Sequence, residues 1–185
     1  MKILIDAGTV CVHAVFLLVL GVGQPLVSQE VSHYTKSYAN TEYGFSVRIP
    51  PPLVGLGEQV PDANRGFRIH FSDDEFDRLS VMASIMTETS ASSGADSDRH
   101  PPTGFEALDT QNRKTELGGL EATRIFQRLR RQTDGALFMM VTIVAKRQDR
   151  SIEYTLTLQA PQKHYVERAK VLDAVVDSFR LLSLK

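Results

Sequence analysis

Three closely spaced apolar segments in the second half of the chain limit its possible folds more than any other feature. They run over 121–131, 137–147 and 152–159, and the turn residues between them occupy only a few positions, at 133–135 and 148–151. Apolar alternation in short segments is typical of β-strands. Connections this short join antiparallel neighbours, because a parallel pair needs a crossover of a dozen or more residues. The sequence therefore predicts an antiparallel meander.

Earlier segments of the chain carry the same strand pattern. Apolar and polar residues alternate over 43–49 until three prolines at 50–52 end the segment, because proline cannot donate to a β-ladder. The segments 67–71 and 79–85 also alternate, and they flank an acidic turn at 72–75. These two segments are predicted to form a hairpin pair.

Two further segments are predicted to be helical. A short helix is expected over 104–112, where Phe105 and Leu108 are three residues apart. A long helix is expected over 162–182, because apolar residues recur there at intervals of three and four. The residues of this apolar stripe are Tyr165, Ala169, Leu172, Val176 and Phe179.

Together these elements predict an α+β domain, with one antiparallel β-sheet and the long C-terminal helix packed on one face. Apolar residues run almost without interruption through 137–147, which predicts a strand buried on both faces. The short helix at 104–112 or the proline-rich segment at 50–52 would then cover the second face. The expected architecture is an α/β/α sandwich.

The first 28 residues are predicted to be a secretory signal peptide. An apolar run over 10–23 is too short to cross a bilayer with a margin and ends in small and polar residues, which places cleavage near residue 23 or 28. A tether over 29–37 follows, and then a single domain over 38–185 with a flexible polar loop at 87–103. An uncleaved N-terminal anchor is the alternative. Both interpretations predict a secreted or periplasmic protein.

Charge and cysteine content exclude several classes of protein. Lysine and arginine number 21 against 22 aspartates and glutamates, so no overall field attracts nucleic acid or an acidic membrane. The single cysteine, Cys11, lies in the predicted signal peptide, so the exported domain has neither a disulfide nor a thiolate metal site. No cofactor is predicted, a monomer is expected, and membrane contact is expected only through an uncleaved signal peptide.

The two ends of the exported chain resemble the PsbP-like domains. The resemblance lies in the segment 38–50, which contains Tyr43-Gly44-Phe45, and in the segment 154–158 followed by Tyr165 and by Ser178-Phe179-Arg180. This family includes an extrinsic subunit of the oxygen-evolving photosystem and many bacterial periplasmic proteins. The resemblance implies an antiparallel sheet between helices and an accessory or binding role without catalysis. It implies no metal or cofactor, because no ligand motif of the family is found in this chain.

One strand carries the best candidate binding surface. Arg124, Phe126, Arg128 and Arg130 fall at even spacing in the segment 121–131, so their side chains are predicted to project from one face. Arginine forks match the planar oxygens of carboxylates and phosphates, which favours an acidic partner. The alternative is a solvated strand whose charges only prevent edge-to-edge pairing.

Other clusters have simpler structural explanations. The acidic turn with Asp73, Asp74, Glu75 and Asp77 lacks the spacing of a calcium-binding loop and is interpreted as a solvated turn. The serines at 90–93 are not set in the Gly-x-Ser-x-Gly elbow of a hydrolase. No catalytic or metal-binding residue is predicted.

Three functions are compatible with these patterns. The preferred one is an exported, non-enzymatic accessory or binding module that contacts a protein or envelope component. The first alternative is a carrier of a small ligand or metal, with a pocket between the sheet and the C-terminal helix. The second is a hydrolase without a recognisable motif, whose acids meet only in the folded chain.

Overall fold

The computed structural model describes residues 31–57, 65–86 and 100–183. The predicted signal peptide lies outside the described residues. The same holds for most of the predicted loop at 87–103.

Strands dominate the described residues. They are β1 (His33–Tyr34), β2 (Ser37–Asn40), β3 (Phe45–Arg48), β4 (Gly55–Gly57), β5 (Gly66–His70), β6 (Arg78–Ile85), β7 (Phe105–Leu117), β8 (Leu120–Arg131), β9 (Leu137–Arg147), β10 (Ile152–Pro161) and β11 (Arg180–Leu181). The helix α1 (Tyr165–Ser178) follows one turn of 3-10 helix (Gln162–His164), and a second such turn (Gln148–Arg150) joins β9 to β10.

Eight of these strands form a main sheet in the order β1-β4-β5-β6-β10-β9-β8-β7. The predicted meander is confirmed, because β8 pairs antiparallel with β9 and β9 with β10. The predicted hairpin is also confirmed as the antiparallel pair β5 and β6. The two halves of the chain join where β10 pairs with β6, for example at Tyr154 and Ala83.

The short helix predicted over 104–112 is wrong, because this segment belongs to the strand β7. The strand pairs with β8 along its length, and Gly118 and Gly119 close the hairpin with positive φ angles of 59° and 88°. Such angles suit the tight turn that the twist of a two-stranded ribbon requires. The pairing register shifts between Ala107 and Asp109, so the helix-like spacing of Phe105 and Leu108 comes from a β-bulge.

The long C-terminal helix is confirmed, but it ends earlier than predicted. It ends at Ser178, and Phe179 has extended backbone angles of −63° and 128°. Arg180 and Leu181 then pair antiparallel with β3, forming a small second sheet in the order β11-β3-β2. The change of backbone direction brings the Phe179 ring into the core, where none of it is exposed.

The small sheet begins within the segment predicted to be a tether. Ser37 pairs with Arg48, and His33 and Tyr34 already pair with β4 in the main sheet. The Tyr34 ring packs edge-on against Tyr38, with ring centroids 4.9 Å apart. Aromatic packing therefore orders this segment, although its polar composition had predicted a tether.

One face of the main sheet carries most of the core. There α1 contributes the fully buried Leu172 and Val175, and the small sheet contributes Phe45 and Val47. The fold class is thus confirmed as an antiparallel sheet with the C-terminal helix packed on it. Within the described residues, α1 is the only α-helix, so the helix predicted for the other side of a sandwich is not among them.

The strand β9 is buried on both faces, as predicted. Val141 and Ile143 belong to the main core, whereas Phe138 and Met140 belong to a second cluster on the opposite face. Phe105 of β7 packs against Phe138 in this cluster, with ring centroids 5.3 Å apart. Phe76, from the turn after β5, packs on Phe105 with ring centroids 4.9 Å apart. This face of β9 is therefore buried by side chains of the sheet itself and of that turn, where a short helix was expected.

Candidate functional sites

The four predicted site residues lie on one face of β8, the face toward α1. Phe126 is partly buried against the main core, and Arg128 is exposed. About half of the Arg130 side chain, 51%, is exposed to solvent. Only 22% of the Arg124 side chain is exposed, because α1 covers it. The exposed part of this surface is therefore centred on Phe126, Arg128 and Arg130.

Arg124 connects the main sheet to the helix. Its Nη2 donates to Oδ1 of Asp173 on α1 at 2.9 Å. Tyr165 of the same helix lies within reach of both charges: burial raises the pKa of its hydroxyl, and the Arg124 charge opposes that rise. Arg124 thus has an intramolecular partner, and its first role is structural.

Phe126 is flanked by two guanidinium groups. The guanidinium carbon of Arg124 lies 5.3 Å from the ring centroid, and that of Arg113 lies 5.4 Å from it. Arg113 and Arg124 are opposite each other in the β7–β8 register, so both side chains share the face with Phe126. Sequence reasoning missed Arg113, because the segment before it was expected to be helical.

Acidic residues of β7 lie opposite the arginines of β8. Glu106 faces Arg130, with Oε2 and Nη1 3.7 Å apart, and Asp109 faces Arg128 in the register. Arg128 forms no ion pair within 4.0 Å among the described residues. We define the Phe126 surface as Arg113, Phe126, Arg128 and Arg130. It is a mixed-charge surface with more positive than negative groups.

The acidic turn after β5 is a structural junction more than a solvated turn. Asp74 Oδ2 accepts from Arg131 Nη1 at 2.9 Å, and Asp77 lies 3.5 Å from Arg168 of α1. Arg131 also donates to Asp134 at 2.7 Å. The hydrogen bonds to Asp134 and to Asp74 raise the pKa of Arg131. Among the described residues no three histidine, cysteine or acidic side chains are grouped to hold a metal ion.

Asp134 gives a test of this junction through pH. Its hydrogen bond from Arg131, and then that from the main chain of Ala136, lower its pKa from 3.8 to about 2. A lowered folded-state pKa contributes stability above the unfolded value and loses it as pH falls toward the folded value. We expect Asp134→Asn to lower the urea midpoint at pH 7, and we expect this difference to shrink between pH 3.8 and about 2. A difference as large at about pH 2.9, midway through that range, as at pH 7 would contradict the assignment.

Core side chains fill the space between the sheet and the C-terminal helix, where the alternative function of a carrier placed its pocket. Leu172, Val175 and Phe179 are fully buried there and pack against the main sheet. A cleft of about 940 Å³ lies instead on the outer face of the small sheet, beside the last turn of α1. Its lining includes Lys36, Arg48 and Arg180.

No helix in the described part of the chain has the length and apolar composition needed to cross a bilayer.

Comparison by sequence gives no relative, since no family model and no curated protein matches the chain. Comparison by structure identifies the fold. The solution structure of cyanobacterial PsbP from Synechocystis has a TM-score of 0.50 and 13% identity, over 86% of this chain and 98% of that one. LpqN of Mycobacterium tuberculosis, described as involved in cell envelope biogenesis, has a TM-score of 0.54 and 13% identity, over 83% and 92%.

A third solved structure shares the fold over part of a longer chain. It comes from Bacteroides thetaiotaomicron, with a TM-score of 0.53 and 10% identity, and it covers 80% of this chain and 48% of that one. The PsbP-like fold expected from the two ends of the chain is thus confirmed. At identities this low, the likeness concerns the fold and leaves function to be argued from the site.

Proposed function

We propose that the protein is a non-catalytic binding module whose Phe126 surface contacts an acidic protein partner. The observation that carries the proposal is the half-buried Phe126 ring, which has two guanidinium carbons within 5.4 Å of its centroid and lies next to the exposed Arg128. Aromatic and arginine side chains supply much of the binding energy at protein interfaces. A ring already fixed between its neighbours loses little conformational freedom on binding, which favours affinity.

The charge arrangement favours a carboxylate-bearing partner. Glu106 is 3.7 Å from Arg130, a distance at which the pair is weak when exposed. A partner carboxylate can therefore displace Glu106 at little cost and form a charge-assisted hydrogen bond with the guanidinium. Arg128 and Arg113 offer two more exposed cations on the same face.

We also propose that this module works outside the cytoplasm, as a secreted or periplasmic protein. The support is the predicted signal peptide, with its short apolar run and turn-forming end. The fold shared with PsbP and with LpqN is compatible with this location. The partner is then a protein or a component of the cell envelope.

The test is capture of the partner from the host by mild cross-linking, on separated extracytoplasmic and cytoplasmic fractions. The triple variant Arg113→Glu, Arg128→Glu and Arg130→Glu reverses the charge of the Phe126 surface and spares the Arg124–Asp173 contact. We expect it to weaken binding of the identified partner at least about tenfold, a change of about 1.4 kcal/mol. Unfolding should change little, because all three side chains are exposed.

The matched control reverses three cations elsewhere: Arg150→Glu, Lys163→Glu and Lys170→Glu. These side chains are exposed and lie outside the Phe126 surface, so the change in net charge is identical. Binding that survives the first variant, or falls equally in the control, contradicts the proposed surface. A protein found only in the cytoplasmic fraction contradicts the proposed location.

A further inference from the structure

We infer that the cleft on the small sheet is a binding site for a phosphomonoester with an apolar body. The cleft is separate from the Phe126 surface. Two neighbouring segments, β2 with the residues before it and β3 with Pro50 and Pro51, form it together with a distant one, the end of α1 with β11. The inference rests on the side chains of the cleft floor, on its charge and on its size.

Small side chains form the floor. In the register of the small sheet, Ala39, Ser46 and Arg180 lie side by side across β2, β3 and β11. Ser37 and Arg48 form the next row, and the main-chain N–H of Arg48 donates to Ser178 Oγ at 2.9 Å. Alanine and serine leave open space between the long side chains of the two arginines. A ligand can therefore reach the sheet surface.

The two arginines are placed to hold one anion together. Arg48 and Arg180 share a face and are diagonal neighbours, a relation that places residues roughly 7–8 Å apart, with their Cβ atoms somewhat closer. Arg180 Nη1 donates to the main-chain carbonyls of Asp177 and Phe179 at 2.8 Å each, which fixes the guanidinium at the end of the helix. Nε and Nη2 of Arg180 have no hydrogen bond to any described residue.

The charge of the cleft is strongly positive in a chain that is nearly neutral. Lys36, Arg48 and Arg180 line it, and Asp177 is the one acidic side chain among its described lining residues. Among the described residues, none of these three cations has a carboxylate within 4.0 Å. Cations held close together repel one another, and an anion bound between them removes that repulsion.

Charge and size together select the class of ligand. A phosphomonoester carries between one and two negative charges near pH 7 and three acceptor oxygens, which matches several cations better than one carboxylate does. The cleft volume of about 940 Å³ is near the upper end for small-molecule sites and far exceeds a bare phosphate. Pro50, Pro51 and Ala174 supply apolar surface for the remainder of the ligand.

The experiment is an NMR titration of the full ¹⁵N-labelled chain with phenyl phosphate, benzoate and inorganic phosphate. We expect phenyl phosphate to shift the amides of Ala39, Ser46 and Arg180 saturably. Benzoate should bind at least about tenfold more weakly, because it carries one charge, and inorganic phosphate should shift the same amides with lower affinity, because it lacks the apolar body. Lack of saturation by phenyl phosphate up to about 10 mM would overturn the inference.

Two variants separate charge from space. Arg48→Gln removes one exposed cation, and Ala39→Leu fills the floor without changing charge; each should weaken phenyl phosphate binding at least about tenfold. Arg150→Gln is the matched control, because Arg150 is half-exposed and lies outside the cleft. Equal binding by wild type, Arg48→Gln and Ala39→Leu would overturn the site, as would an equal loss in Arg150→Gln. Neither result depends on the partner of the Phe126 surface.

Discussion

Replacing Phe179 with alanine is expected to lower the free energy of unfolding by about 3–5 kcal/mol, the range for truncating a buried phenylalanine. The ring is fully buried and stacks on Phe45, with centroids 5.5 Å apart and planes 9° apart. It also meets Tyr154 edge-on at 5.3 Å. Alanine leaves a cavity where the helix, the main sheet and the small sheet meet. The loss is measured as a fall in the urea midpoint.

The same helix offers a control for this prediction. Val166 is 71% exposed, so Val166→Ala should change the free energy of unfolding by no more than about 0.5 kcal/mol. The loss for Phe179→Leu should lie between those for Val166→Ala and Phe179→Ala, because leucine keeps part of the buried volume. A loss below about 1.5 kcal/mol for Phe179→Ala would mean that the surrounding rings close the cavity, and that Phe179 does not join the layers.

The alternation of apolar and polar residues was sufficient to predict the strands that have one buried face. In β10 the residues Ile152, Tyr154 and Leu156 are buried and those between them are partly exposed, as the period of two requires. The continuous apolar run of β9 also predicted burial on both faces correctly. In these strands each residue's environment follows from its own position, so local pattern is informative.

The sequence pattern gave wrong predictions where pairing with another strand decides the conformation of a segment. The strand β7 is an edge strand whose middle is polar on both faces, so it has no alternating apolar signal. Its conformation comes from pairing with β8, and the bulge at Ala107 gave the apolar residues a helical spacing. In the same way, Arg180 and Leu181 continue the helical pattern in sequence, but pairing with β3 makes them a strand.

The candidate sites show the same division between local and distant information. The common face of Arg124, Phe126, Arg128 and Arg130 follows from strand periodicity and was predictable. The contacts of Arg124 with Asp173, 49 residues away, and of Phe126 with Arg113 required the folded chain. The cleft joins residues near 36, 48 and 180, and no spacing in the sequence indicates that these cations meet.

The second large effect is expected at the ion pair of Asp77 and Arg168. Asp77 is 1% exposed, and its Oδ1 lies 3.5 Å from Arg168 Nε. Neither atom has a hydrogen bond to another residue in the described part of the chain. The Arg168 guanidinium also lies 4.6 Å from the centroid of Phe71. Arg168→Met should keep the packing on Phe71 but leave a buried carboxylate without its cation. We expect a loss of about 3 kcal/mol in the free energy of unfolding.

A double-mutant cycle distinguishes loss of the pair from loss of packing. If the unpaired charge causes the instability, the double variant Asp77→Asn and Arg168→Met should recover most of the loss, because no charge remains buried. Arg150→Met, at a half-exposed position, should change the free energy of unfolding by no more than about 0.5 kcal/mol. If the free energy of unfolding of Arg168→Met is within about 1 kcal/mol of the wild-type value, the pair does not stabilise the contact between α1 and the turn after β5. In that case Phe71 and the neighbouring apolar residues hold the helix in place.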